Sequence, residues 1–488
     1  MGWPLPPELT GRIVSYLANP LTNRNSKPGL AQYATVNREW QALVEEQCWA
    51  TLRVKTGPPL DLTAFEKATS HPRRRSYIRH IELVVGMEPY DEAARAHFET
   101  EAEHGRNNQI FSRALQSMLR ILTRWPSSHP GISLSIQAQS PDDLVACPNR
   151  LRRKKAARAD RTTDLLNRRF ERNYLRLDDR FEGQVQPLEL VRTLKVEALS
   201  DRRQINAASC ARLASRFPRL HTLNLSLNDT CKRDKALRKR NRNEFAAHLN
   251  LVPPTVKNFN LHFNHEPPGN HDFPPDDITE NNTDPLSSSL REFSQQLVTL
   301  CLYETTIGTD LFWPLDPSKR PLPSWPDLTT VIIRYTPVTP SGKWLFTDRP
   351  DRDENDDFEP ADSDPDGDFP EYVRTPLEDR SGEYFREVGV SDLFNDLYIA
   401  VGQAALQMPR LELMKMETQT GPGHNWFRYT SKGEVKATWS DFHGFQPSDE
   451  VLDLWKKVAS EHTGADLIVE LCNNTRANQG GTNTRTTG

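Results

Sequence analysis

One short apolar spacing, apolar-x-x-apolar-x-apolar, recurs along this chain at long and uneven intervals. It occurs at Ile78/Ile81/Leu83, Val191/Leu194/Val196, Leu220/Leu223/Leu225, Val256/Phe259/Leu261, Leu297/Leu300/Leu302, Leu328/Val331/Ile333 and Leu411/Met414/Met416. The last two positions are two residues apart, so both lie on one face of a short strand, and the first tucks in at the strand entrance. Pro218, Pro254, Pro326 and Pro409 each stand two residues before a first position. Proline lacks an N–H and biases its predecessor out of the helical region, so it closes whatever helix comes before. Helical spacings do precede it: 205–217 runs into Pro218, and 393–408 runs into Pro409. From Val191 onward the first positions are 29, 36, 41, 31 and 83 residues apart. A unit of helix, proline and strand cannot bury its own faces, so copies must stack. An ordinary α/β domain whose strands follow helices would carry a similar spacing, and that alternative stays open.

With L-x-x-L-x-L as the matched core, the segment from about 190 to 416, and perhaps from 75, resembles the leucine-rich repeat family. Asn228 fits the family's asparagine position, and the other units do not carry it. The resemblance implies an irregular α/β solenoid without an unbroken asparagine ladder.

The first fifty residues read differently. Leu5-Pro6-Pro7-Glu8-Leu9 opens a helix, since proline suits a first turn and an acidic residue suits the positive end of the dipole. Leu9, Ile13, Tyr16 and Leu17 then give one apolar face. Asn19-Pro20 ends that helix, Leu30–Thr35 makes a second, and a third follows with Val36, Trp40, Leu43 and Val44 on one side. A bundle this small has little core and usually needs a partner.

This segment resembles an F-box. The family's L-P-x-E-[LIV] opening matches Leu5 to Leu9, and its [IV]-x-x-[YH]-L stretch matches Ile13 to Leu17. Its later L-x-x-[LYA]-x-x-V-[CN]-[RK]-x-W stretch matches Leu30, Tyr33, Val36, Asn37, Arg38 and Trp40. The loop Asn19–Gly29 is longer than the family's, and Asn37 replaces the common Cys. The resemblance implies a substrate receptor of a Skp–cullin–F-box ubiquitin ligase. It would bridge a Skp-type adaptor, and through it a cullin, to an unknown protein substrate without making or breaking a bond. Leu5, Pro6, Leu9, Ile13, Leu30, Val36 and Trp40 are the candidate adaptor-binding residues. Some of these side chains would instead fill the bundle's own core; Leu17, Val36 and Leu43 are expected there.

The expected architecture is therefore α+β: a helical F-box-like domain over 1–55, a leucine-rich-repeat-like recognition domain over 75–472, and a loose tail over 473–488. The chain has 488 residues, mean hydropathy −0.69 and only 36% hydrophobic residues, so part of it is expected to stay outside any core. Asp348 to Glu371 holds twelve acidic and two basic residues and several prolines. Such a run repels itself, and an acidic disordered loop is expected over about 347–372. Residues 264–289, rich in Pro, Asn and Asp, read as another mobile loop. Arg150 to Arg172 holds ten basic and three acidic residues. There Leu166, Phe170, Tyr174 and Leu177 suggest a helix with one apolar face.

Lys232 to Arg242 is a second basic cluster, and both clusters admit three readings: a solvated helix face, a nuclear-import address or a phosphate contact. Aromatic residues crowd the C-terminal part at Trp426, Phe427, Tyr429, Trp439, Phe442 and Phe445. They would cap the array or line a pocket, and Leu467 to Leu471 reads as a closing strand. The six cysteines form no C-x-x-C pair, which suits reduced thiols in a cytoplasmic or nuclear protein. No nucleophile, phosphate-loop or zinc-helix motif is present. His262, His265 and Glu266 lack the spacing of a metal set, so no catalytic residue, metal or cofactor is expected. Two alternatives accompany the receptor reading. One is an interaction scaffold with an F-box-like cap and no ligase. The other is a nucleic-acid-associated protein using the basic clusters.

Overall fold

The computed structural model describes residues 7–18, 30–57, 59–91, 94, 98–143, 169–170, 172–198, 203–229, 234–316, 318, 321–348, 378 and 384–473. Leu5, Pro6, the loop 19–29, residues 150–168 of the basic stretch, the acidic run from 349 and the tail from 474 lie outside them.

The chain is mixed α/β, built on one open, mostly parallel sheet of twelve strands. These are β1 (Thr51–Lys55), β2 (His80–Gly86), β3 (Ile132–Gln139), β4 (Val191–Glu197), β5 (Thr222–Asn228), β6 (Asn258–Asn264), β7 (Thr299–Thr305), β8 (Thr330–Tyr335), then β11 (Leu413–Gln419), β12 (His424–Thr430), β13 (Lys436–Asp441) and β14 (Ile468–Asn473). Two short strands, β9 (Phe346–Thr347) and β10 (Val388–Gly389), pair with each other apart from the main sheet. Each main-sheet strand lies beside its predecessor in the chain. Pairing is parallel from β1 through β8 to β11; β12 turns back as a hairpin, β13 is antiparallel to β12, and β14 is parallel to β13.

The apolar spacing becomes two unbroken ladders. One runs Leu52, Ile81, Leu134, Leu194, Leu223, Phe259, Leu300, Val331, Met414, Tyr429, Ala437, Val469. The other runs Val54, Leu83, Ile136, Val196, Leu225, Leu261, Leu302, Ile333, Met416, Phe427, Trp439, Leu471 in the same registers. The first positions Ile78, Val191, Leu220, Val256, Leu297, Leu328 and Leu411 are all buried. Helix side chains close the same core, among them Phe111 and Leu115 of Glu101–Leu122, Leu290 and Phe293 of Pro285–Ser294, Phe394 and Tyr398 of Ser391–Ala405, and Trp455 of Asp449–Thr463. Each such buried side chain contributes about 1.5–3 kcal/mol by leaving water.

Prolines close the preceding helices as expected: Ala207–Ala214 stops before Pro218, and Ser391–Ala405 before Pro409. The mobile loop expected over 264–289 is corrected. Asn270, His271 and Ile278 are buried there, and a helix begins at Pro285 with Asp284 as its N-cap. The helix expected through Tyr174 and Leu177 is also corrected. Both side chains are buried, but from non-helical backbone held by a bridge between Leu175 and Ile205. The C-terminal aromatics Phe427, Tyr429, Trp439 and Phe445 enter the core at the sheet's far end.

At the N-terminus a helix spans Pro7–Ala18, a 3-10 helix Leu30–Thr35 and a second α-helix Arg38–Ala50. Asn37 caps the last, its side chain accepting from the Trp40 N–H at 2.8 Å. Helix Arg38–Ala50 runs into β1 with no loop between, so this end is joined directly to the sheet.

Candidate functional site

The period-2 alternation that buries one face of the sheet leaves the other polar. β5 and β6 read Thr222-Leu-Asn-Leu-Ser-Leu-Asn228 and Asn258-Phe-Asn-Leu-His-Phe-Asn264, each with its apolar residues buried and its polar residues half-buried. On that open face Asn260 donates to the Asn224 carbonyl oxygen at 2.6 Å, and Asn258 donates to the Thr222 hydroxyl at 3.5 Å. Asn228, the residue that fits the repeat consensus, accepts from Asn264 at 3.4 Å. These cross-strand amides satisfy one another where the sheet faces water.

Further along the face the residues become charged. One register row reads Asn224, Asn260, Cys301, Ile332, Lys415, Arg428, Thr438. The next reads Ser226, His262, Tyr303, Arg334, Glu417, Trp426, Ser440. The ring of His262 meets Tyr303 edge-on at 6.4 Å between centroids. Burial lowers the His262 pKa, with Glu304 opposing the effect and Arg334 adding to it. Burial would raise the Glu417 pKa; a hydrogen bond from His424 and the charges of Lys415 and Arg334 outweigh it and hold the carboxyl ionised.

The second candidate surface is the N-terminal helix. Thr10 and Val14 are buried, whereas Leu9, Ile13 and Tyr16 are 45%, 38% and 66% exposed. These three stand at i, i+4 and i+7, one stripe along Pro7–Ala18. Val36, expected in the small core, is 57% exposed. Leu17 and Leu43 are half-buried, and Val44 is the buried residue of the third helix. Leu30 and Trp40 are half-buried, with Trp40 against Tyr33 at 6.3 Å between centroids. Leu5 and Pro6 lie outside the described residues. Tyr16, on the apolar stripe but absent from the candidate residues, is the most exposed of the set; its periodicity was the signal for it.

Within the described part of the basic cluster at 232–242, Lys235 and Arg240 are exposed, as a solvated helix face would have them, whereas Arg238 and Arg242 are not. Arg238 and Arg242 are 2% and 1% exposed. Arg242 pairs with Asp229 at 2.9 Å and Asp284 at 3.2 Å, and Arg238 pairs with Asp229 at 3.0 Å. Neither guanidinium faces solvent. Among the described residues no group of His, Cys, Asp and Glu is placed to hold a metal ion. No described helix is long and apolar enough to cross a membrane.

Compared with known proteins, residues 382–485 match the model of a family of unknown function, DUF6546. That stretch begins just before β10 and runs through β14, so it includes Lys415, Glu417, Trp426 and Arg428. No curated protein matches the chain.

Proposed function

We propose that this chain is a non-catalytic substrate receptor of F-box type. Its N-terminal helices dock a Skp-type adaptor, and its sheet, read as an irregular leucine-rich-repeat-like array, presents a protein substrate to the ligase. The observation that carries the reading is the stripe Leu9, Ile13 and Tyr16, held in water while Thr10 and Val14 of the same helix turn inward. An amphipathic helix normally buries its apolar face. A helix that instead holds three large apolar side chains in water at i, i+4 and i+7 is arranged for a partner's groove. Val36 adds to the exposed apolar area beside the third helix. The receptor contributes proximity: it holds a substrate lysine near a ubiquitin thioester carried elsewhere in the assembly.

The test is binding of a purified Skp-type adaptor by the full chain. Leu9→Asp with Ile13→Asp should weaken binding by about a hundredfold or more, because both side chains would enter a desolvated interface. Both positions are exposed in the free protein, so the melting temperature should barely change. Failure of the unaltered chain to bind any such adaptor, or unchanged binding by the double variant, rejects the reading.

A further inference from the structure

On the open face of the sheet, Lys415 of β11 stands directly opposite Arg428 of β12 in antiparallel register. Like charges in that relation destabilise a sheet unless something neutralises them. Arg334 of β8 lies on the diagonal, one register row along, since Lys415 pairs with Ile332. All three cations are exposed.

The carboxylates nearby do not balance them. One oxygen of Glu417 lies 3.5 Å from the Lys415 ammonium and 3.9 Å from the Arg334 guanidinium. Its other oxygen faces the His424 ring at 3.3 Å. Glu304 stands 3.8 Å from Arg334. The Arg428 side chain makes no hydrogen bond or ion pair among the described residues. The contrast with Arg242 is direct: there two buried carboxylates hold one guanidinium at 2.9 and 3.2 Å. Where this chain uses Arg242 to hold its fold, it gives the guanidinium two close carboxylates. Here three cations lie over three adjacent strands, and the two carboxylates hold Arg334 and Lys415 only loosely.

We propose that this patch docks an extended acidic segment of a protein partner, its carboxylates taken by Arg334, Lys415 and Arg428. The proposal rests on the receptor reading above and names the substrate class. The spacing favours an extended chain over a single anion. Cations on three neighbouring strands span about 10 Å at the usual strand separation. Alternate side chains of an extended peptide are about 7 Å apart on one side. Two acidic residues at i and i+2 therefore meet two of the cations at once, whereas one phosphate group meets only one end. Trp426, half-buried next to Arg428 on the same face of β12, supplies an apolar surface for the peptide's backbone.

The test is fluorescence anisotropy of the full chain with a short labelled Glu-rich peptide and its Gln counterpart. The Glu peptide should bind about tenfold or more tightly than the Gln peptide, and the difference should shrink as salt is raised. Lys415→Glu with Arg428→Glu should cost about tenfold or more, whereas Lys432→Glu, in the turn beyond β12, should not. If the double reversal does not fold, Arg334→Gln with Arg428→Gln removes charge without adding any and should weaken binding in the same direction. Equal binding of the two peptides overturns the proposal, as does unchanged binding by a folded double variant. A single-stranded oligonucleotide that binds these residues more tightly than the Glu peptide also overturns it. Adaptor binding, measured on the same charge variants, should be unaffected, so loss of the receptor reading and loss of this one are separate results.

Discussion

At the scale of single residues, the arginines fall into two groups by what surrounds them, and the buried group secures the loops that follow the strands. Arg242 reaches Asp229 after β5, Asp284 at the start of helix Pro285–Ser294, and the Thr306 carbonyl after β7 at 3.2 Å. Arg203, after β4, does the same with Glu99 at 3.1 Å and Asp143 at 3.0 Å, its guanidinium stacked over Phe170 at 3.4 Å. Truncating Arg242 to Ala leaves buried Asp284 without a cation and Asp229 with Arg238 alone, and should cost about 3–5 kcal/mol in urea unfolding. Arg242→Lys should recover only part of that, because one ammonium cannot serve Asp229, Asp284 and Thr306 as the planar fork does. His271 gives the protein a pH dependence. Its buried ring accepts at Nδ1 from the Phe385 and Arg386 amides at 3.1 and 3.0 Å, which only the unprotonated ring can do. Burial, with the Arg386 charge, lowers its pKa to about 4; Asp348 opposes this. The unfolded chain therefore takes up a proton first. The stability this residue gives is complete above about pH 6.5 and drains as pH falls toward about 4. Melting temperatures measured across that window should fall for the unaltered chain, and His271→Asn, which keeps an acceptor but cannot titrate, should flatten the decline.

At the scale of elements, the seven strands with the apolar spacing were legible because their side-chain pattern and their register are the same fact. The misses have physical causes. β3 carries the last two apolar positions, Leu134 and Ile136, but Gly131 stands where the first should be. Its φ is +110°, and a Cβ there would come within 2.4 Å of the Arg192 side chain, so the site takes glycine in place of an apolar residue. Gly131→Val should accordingly destabilise the chain by more than about 1 kcal/mol, although it completes the repeat spacing; a rise in the urea midpoint would contradict this account. β1 was hidden because helix Arg38–Ala50 passes into it without a turn residue. β12 and β13 have no helix before them, so their alternating aromatics looked like a cap instead of the next two strands of the same ladder. The open face could not be read at all. Lys415 and Arg428 are thirteen residues apart in the chain, and only the hairpin register sets them side by side.

At the scale of the whole molecule, the two ends of the sheet are built differently, and this decides what can be removed. At the far end, β13 is covered by β14, and helix Asp449–Thr463 sets Trp455 against Phe427 and Tyr429 at 4.6 and 5.0 Å between ring centroids. Ending the chain at Gln446 would strip that helix and strand. It would bare Phe427 and Tyr429 and make β13 a new open edge, the combination that drives aggregation. At the near end, the residues that join the core begin after the first helix: Trp49 and Leu52 pack against it, and β1 supplies Val54 to the ladder. Helix Pro7–Ala18 contributes Val14 to burial but no residue to the continuous core. Removing residues 1–29 should therefore leave a chain that still unfolds cooperatively within a few degrees of the intact one, while the adaptor is no longer bound and the Glu-rich peptide still is. Ending at Gln446 should leave little soluble protein of any kind. Calorimetry of the two truncations, with both binding assays on the first, checks this. If the N-terminal truncation lost peptide binding along with the adaptor, or if the C-terminal one stayed soluble and cooperative, docking helix and recognition sheet would not be the separable parts that their packing describes.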